Sequence, residues 1–130
     1  MGKRDLNRIL CVDDDPDILN LARLALEIMG GFTVALCSSG EETLQTVITF
    51  RPDLILLDIM MPEMDGPTTL QKLREIPETL ATPVIFFTAR AKPEEIAQVK
   101  AIGGLDVIIK PFSPMALPET VRKIWEQNFP

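Results

Sequence analysis

Ile9-Leu10-Cys11-Val12-Asp13-Asp14-Asp15-Pro16 decides the fold: four consecutive apolar residues stop abruptly at three aspartates and a proline. A run that is apolar throughout, without polar alternation, is the pattern of a strand buried on both faces, as in parallel sheets. Asp15-Pro16 then marks a helix start, with the carboxylate as cap and proline preset at the first helical position. Ile18, Leu19, Ala22, Leu26 and Met29 recur at helical spacing, and Gly30-Gly31 supplies the stop.

Outward from this unit the alternation repeats. Phe32 to Cys37 is a strand, and Ser39-Gly40-Glu41-Glu42 opens a helix carrying Leu44, Val47 and Ile48. Asp53 to Asp58 is the most apolar strand, and Asp65-Gly66 starts a helix with Leu70 and Leu73. Pro83 to Phe87 is the fourth strand, followed by a helix from Pro93-Glu94-Glu95 through Ile96, Val99 and Ile102. Val107-Ile108-Ile109 is the fifth strand. Ser113-Pro114 opens the last helix, with Leu117, Val121, Ile124 and Trp125 on its apolar face. Pro118 inside that helix predicts a bent or tightened turn. Five strands alternating with five helices predict an α/β fold, a doubly wound five-stranded parallel sheet with helices on both faces. The length of 130 residues predicts one domain over 1–130, with its core at about 8–126.

Composition narrows the function. The chain has 13 Lys and Arg against 19 Asp and Glu, a formal charge of −6 with no basic cluster, so direct nucleic-acid binding is disfavoured. It has no histidine, which excludes a Ser-His-Asp triad, His-ligated zinc and an imidazole base. No apolar run approaches the ~18 residues of a membrane span, and no apolar segment follows Met1-Gly2-Lys3-Arg4-Asp5, so a soluble, cytoplasmic protein with no membrane partner is expected. Cys11 and Cys37 lie in apolar runs and are expected to be reduced core residues.

Three predicted strand ends carry unusual groups: Asp13-Asp14-Asp15 after the first, Asp58 after the third and Lys110 after the fifth, with Thr88 after the fourth. A parallel sheet brings all of these to one edge. With strand order 2-1-3-4-5 the first and third strands are neighbours, and a ligand crevice opens between them where Asp13, Asp14 and Asp58 converge. Clustered carboxylates repel one another unless a cation intervenes, and Mg²⁺ suits oxygen ligands that leave room for phosphate. Beside such a cation one carboxylate can attack phosphorus, a lysine can offset the phosphoryl charge and a hydroxyl can bond a phosphoryl oxygen. Asp15 and Asp53 have a plainer explanation as caps or turn residues.

Four motifs in order then resemble the receiver domain of a two-component response regulator: Ile9 to Asp14, Pro52 to Pro62 with Met64-Asp65-Gly66, Phe87-Thr88-Ala89, and Lys110-Pro111-Phe112. Each is weak alone; together, each at a strand end, they are specific and span about Arg8 to Glu126. The resemblance implies the flavodoxin-like fold, for which receivers are known to have the order 2-1-3-4-5. It implies Asp58 as phosphoacceptor, Asp14 ligating Mg²⁺ directly and Asp13 through water, the backbone carbonyl of Met60 as a further ligand, and Thr88 and Lys110 binding the phosphoryl group. It also implies a cis Lys110-Pro111 bond, a sensor histidine kinase or phosphotransfer protein as donor, and a downstream protein partner or output domain. Such a module catalyses only its own phosphorylation and dephosphorylation and is not an enzyme in the ordinary sense. One position departs: receivers usually place Tyr or Phe three residues before the lysine, and here it is Val107. A shorter switch is therefore expected, carried by Thr88 and by the loop from Ala89 to Pro93. A haloacid-dehalogenase-like phosphatase would need a second Asp two residues after Asp58, where Met60 stands. A constitutive binding scaffold is the remaining alternative.

Overall fold

The structure, a computed structural model, describes residues 5–89 and 92–130. The leader expectation for Met1 to Arg4, and Arg90 and Ala91 of the loop after Thr88, lie outside the described residues. The elements run β1 (Arg8–Val12), α1 (Pro16–Leu24), β2 (Thr33–Cys37), α2 (Gly40–Phe50), β3 (Leu54–Asp58), α3 (Gly66–Leu73), β4 (Val84–Thr88), α4 (Pro93–Ala101), β5 (Asp106–Ile109) and α5 (Leu117–Asn128). All four strand pairings are parallel, in the order β2-β1-β3-β4-β5. The expected α/β architecture, with five strands and five α-helices, is the one observed.

Why the central strands are apolar at every position follows from the two faces. Side chains alternate across a strand, so a sheet covered on both sides needs both sets to be apolar. Ile9, Cys11, Leu54, Leu56, Ile85 and Phe87 pack on one face with Leu19, Ala22 and Leu26 and with Val121, Ile124 and Trp125 of α5. Leu10, Val12, Ile55, Leu57, Val84 and Phe86 pack on the other, with Val47, Leu70, Leu73 and Val99 from α2, α3 and α4. Leu54 to Leu57 are all fully buried. At about 1.5–3 kcal/mol for each large side chain removed from water, this strand anchors the sheet. Cys11 and Cys37 are buried free thiols on opposite faces, and burial pushes the Cys11 thiol up, so both are packing residues.

Helix starts follow the expected caps. Asp15 accepts the amide of Asp17, Ser39 that of Glu42 and Asp65 that of Thr68. Three details differ from expectation. After Leu24 the first helix widens into a π turn, Ala25–Met29, in which the Gly30 amide bonds the Ala25 carbonyl five residues back. Gly30 is needed there for space: a Cβ would lie 2.6 Å from the Leu26 carbonyl oxygen and 2.8 Å from the Phe32 ring. Second, α5 begins at Leu117, not at Ser113-Pro114, whose segment forms a turn closed by Ala116 and Leu117 amides on the Ser113 carbonyl. Pro118 thus stands in the first helical turn, where its missing N–H costs nothing. Third, Asp53 is no cap. Its carboxylate accepts the amides of Asn7 and Arg8 at 2.9 and 2.8 Å, tying the entry of β1 to that of β3.

Candidate functional site

The C-terminal edge of the sheet collects the chemistry. Asp13 follows β1, Asp58 ends β3, Thr88 ends β4 and Lys110 follows β5. Adjacent pairing of Val12 with Leu57 and of Asp58 with Phe87 sets these ends side by side. Asp13 is 1% exposed and Asp58 4%, whereas Asp14 is exposed at the rim. One oxygen of each of these three carboxylates lies within 4.8 Å of the others. The sequence expectation of three converging aspartates is met, but only two of them are buried.

Each buried group is held from several directions. Asp13 accepts the Asp15 amide on one oxygen at 2.9 Å and the Lys110 ammonium on the other at 2.8 Å. The same ammonium stands 3.2 Å from Asp58 Oδ1. Asp58 Oδ1 also receives the Met60 amide at 3.4 Å. Lys110 is placed by its own amide on the Thr88 carbonyl at 2.8 Å, and by Phe112, whose ring stacks on Phe87 with centroids 5.5 Å apart. The Lys110-Pro111 bond is cis, as the resemblance implied. Below Asp58, the Gly66 amide bonds the Ile59 carbonyl, and a Cβ at Gly66 would lie 2.4 Å from the Asp58 carbonyl oxygen. Only glycine lets α3 start so close under β3.

Electrostatics follow from this burial. Desolvation and the charge of Asp13 push the Asp58 carboxyl up to about 6, although Lys110 and the Met60 amide pull the other way. Burial alone would lower the Lys110 ammonium, but its bonds to Asp13 and Asp58 more than offset that and raise it. A cavity of about 520 Å³ opens over these groups, lined also by Asp15, Ile59, Met60, Ala89 and Glu95. Glu95, in the first turn of α4, was not singled out from the sequence, where an acidic residue at a helix start is ordinary. A larger cavity of about 620 Å³ lies at the opposite end of the strands, by Asp53 and Pro83, away from these groups.

The donor set is that of a hard cation: carboxylate oxygens from Asp13, Asp14 and Asp58, with no nitrogen or sulfur ligand in the cluster. Two buried carboxylates facing one ammonium leave negative charge that a divalent ion would balance. The group therefore fits Mg²⁺. The Met60 carbonyl, two residues after Asp58, is the backbone donor that the resemblance names.

A profile described as response regulator receiver domain matches residues 9–122. The chain belongs to the response regulator receiver family. The receiver is 39% identical over 123 residues to the alkaline phosphatase synthesis transcriptional regulatory protein PhoP of Bacillus subtilis, covering 93% of this chain and 49% of that protein. It is 35% identical over 115 residues to a probable cyclic di-GMP phosphodiesterase of Vibrio cholerae, covering 87% of this chain and 26% of that one. The receiver thus spans half or less of these curated relatives. Its fold superposes on the Vibrio cholerae chemotaxis protein CheY4 with a TM-score of 0.85 at 28% identity, covering 92% of this chain and 99% of that one. It is a receiver of two-component signalling, and among its described residues no helix is long and apolar enough to cross a membrane.

Proposed function

We propose that the receiver takes a phosphoryl group onto Asp58 from the phosphohistidine of a sensor histidine kinase or phosphotransfer protein, and presents the altered surface to a downstream protein partner or output domain. One observation carries this: a single ammonium, Lys110, reaches both buried carboxylates, at 2.8 Å from Asp13 and 3.2 Å from Asp58. Asp13 holds the lysine in place, and the lysine faces the side on which a phosphoryl group on Asp58 would gather charge. With its carboxyl pushed up to about 6, Asp58 is largely ionised at neutral pH yet more basic than an exposed aspartate, which suits a nucleophile. Thr88, 8% exposed at the adjacent strand end, would donate its hydroxyl to a phosphoryl oxygen.

Asp13, Asp14, Asp58 and the Met60 carbonyl would hold Mg²⁺. When bound, the ion offsets carboxylate repulsion and the charge of the phosphoryl oxygens. The receiver acts as one unit over 1–130, modifies only itself and turns over no small molecule. Two reduced core thiols support a cytoplasmic setting. The relatives' names, a transcriptional regulator and a phosphodiesterase, support outputs that differ while the receiver is shared. With Mg²⁺ and a small phosphodonor, the protein should gain the mass of one phosphoryl group and Asp58→Asn should gain none. Equal labelling of the variant would remove Asp58 from the role.

A further inference from the structure

Glu95 is the one carboxylate of the site cavity to which nothing above gives a task. Asp13 holds Lys110, Asp15 caps α1, and Asp14 and Asp58 belong to the cation and acceptor positions. Glu95 comes from the opposite wall, the first turn of α4, and lines both the site cavity and an apolar groove of about 500 Å³ between α3 and α4. Ile59 is shared by the same two spaces, so Glu95 and Ile59 stand together between them. Among the described residues it makes no ion pair. Its neighbour Glu94 is exposed and lines neither space.

Charge makes this position consequential. Five carboxylates and one ammonium line the cavity among the described residues, so even with a divalent cation bound it stays net negative. A half-buried carboxylate lining such a cavity acts on an incoming anion through a medium less screening than water. We propose that Glu95 selects the phosphodonor: it disfavours acyl phosphates, whose leaving group is anionic, and tolerates phosphoramidates whose ring is protonated. This rests on Asp58 being the acceptor.

The two transfers balance differently. With acetyl phosphate, a carboxylate oxygen of Asp58 forms the new O–P bond, the anhydride O–P bond breaks and its electron pair leaves on acetate. A donor of charge −2 enters and an anion must leave past Glu95. With phosphoimidazole protonated on its free ring nitrogen, the P–N bond breaks, its pair returns to the ring nitrogen and neutral imidazole departs. That donor enters with net charge −1, and its cationic ring is attracted by the same carboxylate that repels acetyl phosphate.

The test is kcat/KM for phosphorylation with each donor at saturating Mg²⁺, in wild type, Glu95→Gln, Glu95→Lys and Glu94→Gln. In Glu95→Gln the value for acetyl phosphate should rise about five-fold, chiefly through KM, while that for phosphoimidazole should change by less than about two-fold in either direction. Glu95→Lys should go further in the same direction, and Glu94→Gln should change neither. The wild type supplies a measurement independent of any variant's folding. Its rate with acetyl phosphate should climb with ionic strength while that with phosphoimidazole stays flat. Parallel changes for both donors, an equal effect of Glu94→Gln, or a flat salt response to acetyl phosphate would each overturn the proposal. Wild type that labels with neither donor would instead strike the acceptor assignment, and this inference with it.

Discussion

Asp58 keeps a proton in the folded, metal-free protein to about pH 6, whereas its ordinary value is 3.8. Between those values the folded chain holds a proton that the unfolded chain has lost, so this residue's contribution to stability falls as pH rises through the window. Below about pH 4 both states are protonated and the penalty vanishes. Asp58→Asn removes the charge without changing the shape. In EDTA its stability relative to wild type should therefore grow from pH 4 to 6.5, by about 1–3 kcal/mol, and level off above that. Thermal melts across that range check it. A constant difference would mean that burial and Asp13 do not weigh on Asp58. Within the run Asp13-Asp14-Asp15, Asp13 is buried like Asp58. Asp14 is exposed, so it adds no third buried like charge, and its removal should matter little without metal.

At the scale of elements, the segment joining β3 to α3 carries strain beside Asp58. Glu63 adopts φ 68, and the Met64 amide closes back on the Pro62 carbonyl at 2.7 Å, a γ-turn of the rare positive-φ kind. Glu63 is exposed, so no burial of its side chain explains a conformation that disfavours L-residues by about 1–2 kcal/mol. The tight turn sets Met64 over the start of α2, where a Cβ on Gly40 would lie 2.9 Å from the Met64 sulfur. Glu63→Gly should relieve the strain and, after the entropy that glycine adds to the unfolded chain, stabilise by about 0.5–1 kcal/mol, or about 3 °C in Tm. A lower Tm by calorimetry would show that the carboxylate itself holds the loop. Arg51, at φ 52, ends α2 in the same left-handed region just before Pro52. Neither position shows a sequence signal, because glycine or asparagine is the residue by which such turns are read.

Across the whole molecule, four strand ends and two helix starts converge on one edge, so a cation there ties together parts of the chain that are distant in sequence. Mg²⁺ at ten times its dissociation constant should add about 1.4 kcal/mol by mass action, visible as a higher Tm. Asp14→Asn should lose most of that gain while melting close to wild type in EDTA, since the exposed carboxylate costs the empty site little. Full response of the variant to Mg²⁺ would take Asp14 out of the ligand set. Val107 lies on an outermost strand, β5. It lies half-buried on β5 beside Phe86, against the layer formed by α2, α3 and α4, a short side chain where the family usually has a ring.

The alternation of strands and helices, the α/β class and the main site groups Asp13, Asp58, Thr88 and Lys110 were determined by the sequence alone. Each central strand is a short run apolar at every position, and a parallel sheet must bring the ends of such runs to one edge whatever the details of packing. Packing decided the rest. Asp53 became a clamp on Asn7 and Arg8 because β1 and β3 pair across 45 residues of chain, a distance no local pattern reports. Asp13 is buried and Asp14 is not because Asp13 points under Lys110 while its neighbour turns to the rim. The π turn before Gly30 and the start of α5 at Leu117 depend on what each turn meets in space. Glu95 reads locally as a helix-start acid; only the packing of α4 against the sheet, beside β5, sets it on the wall of the site, because proximity between distant segments is a property of the folded chain.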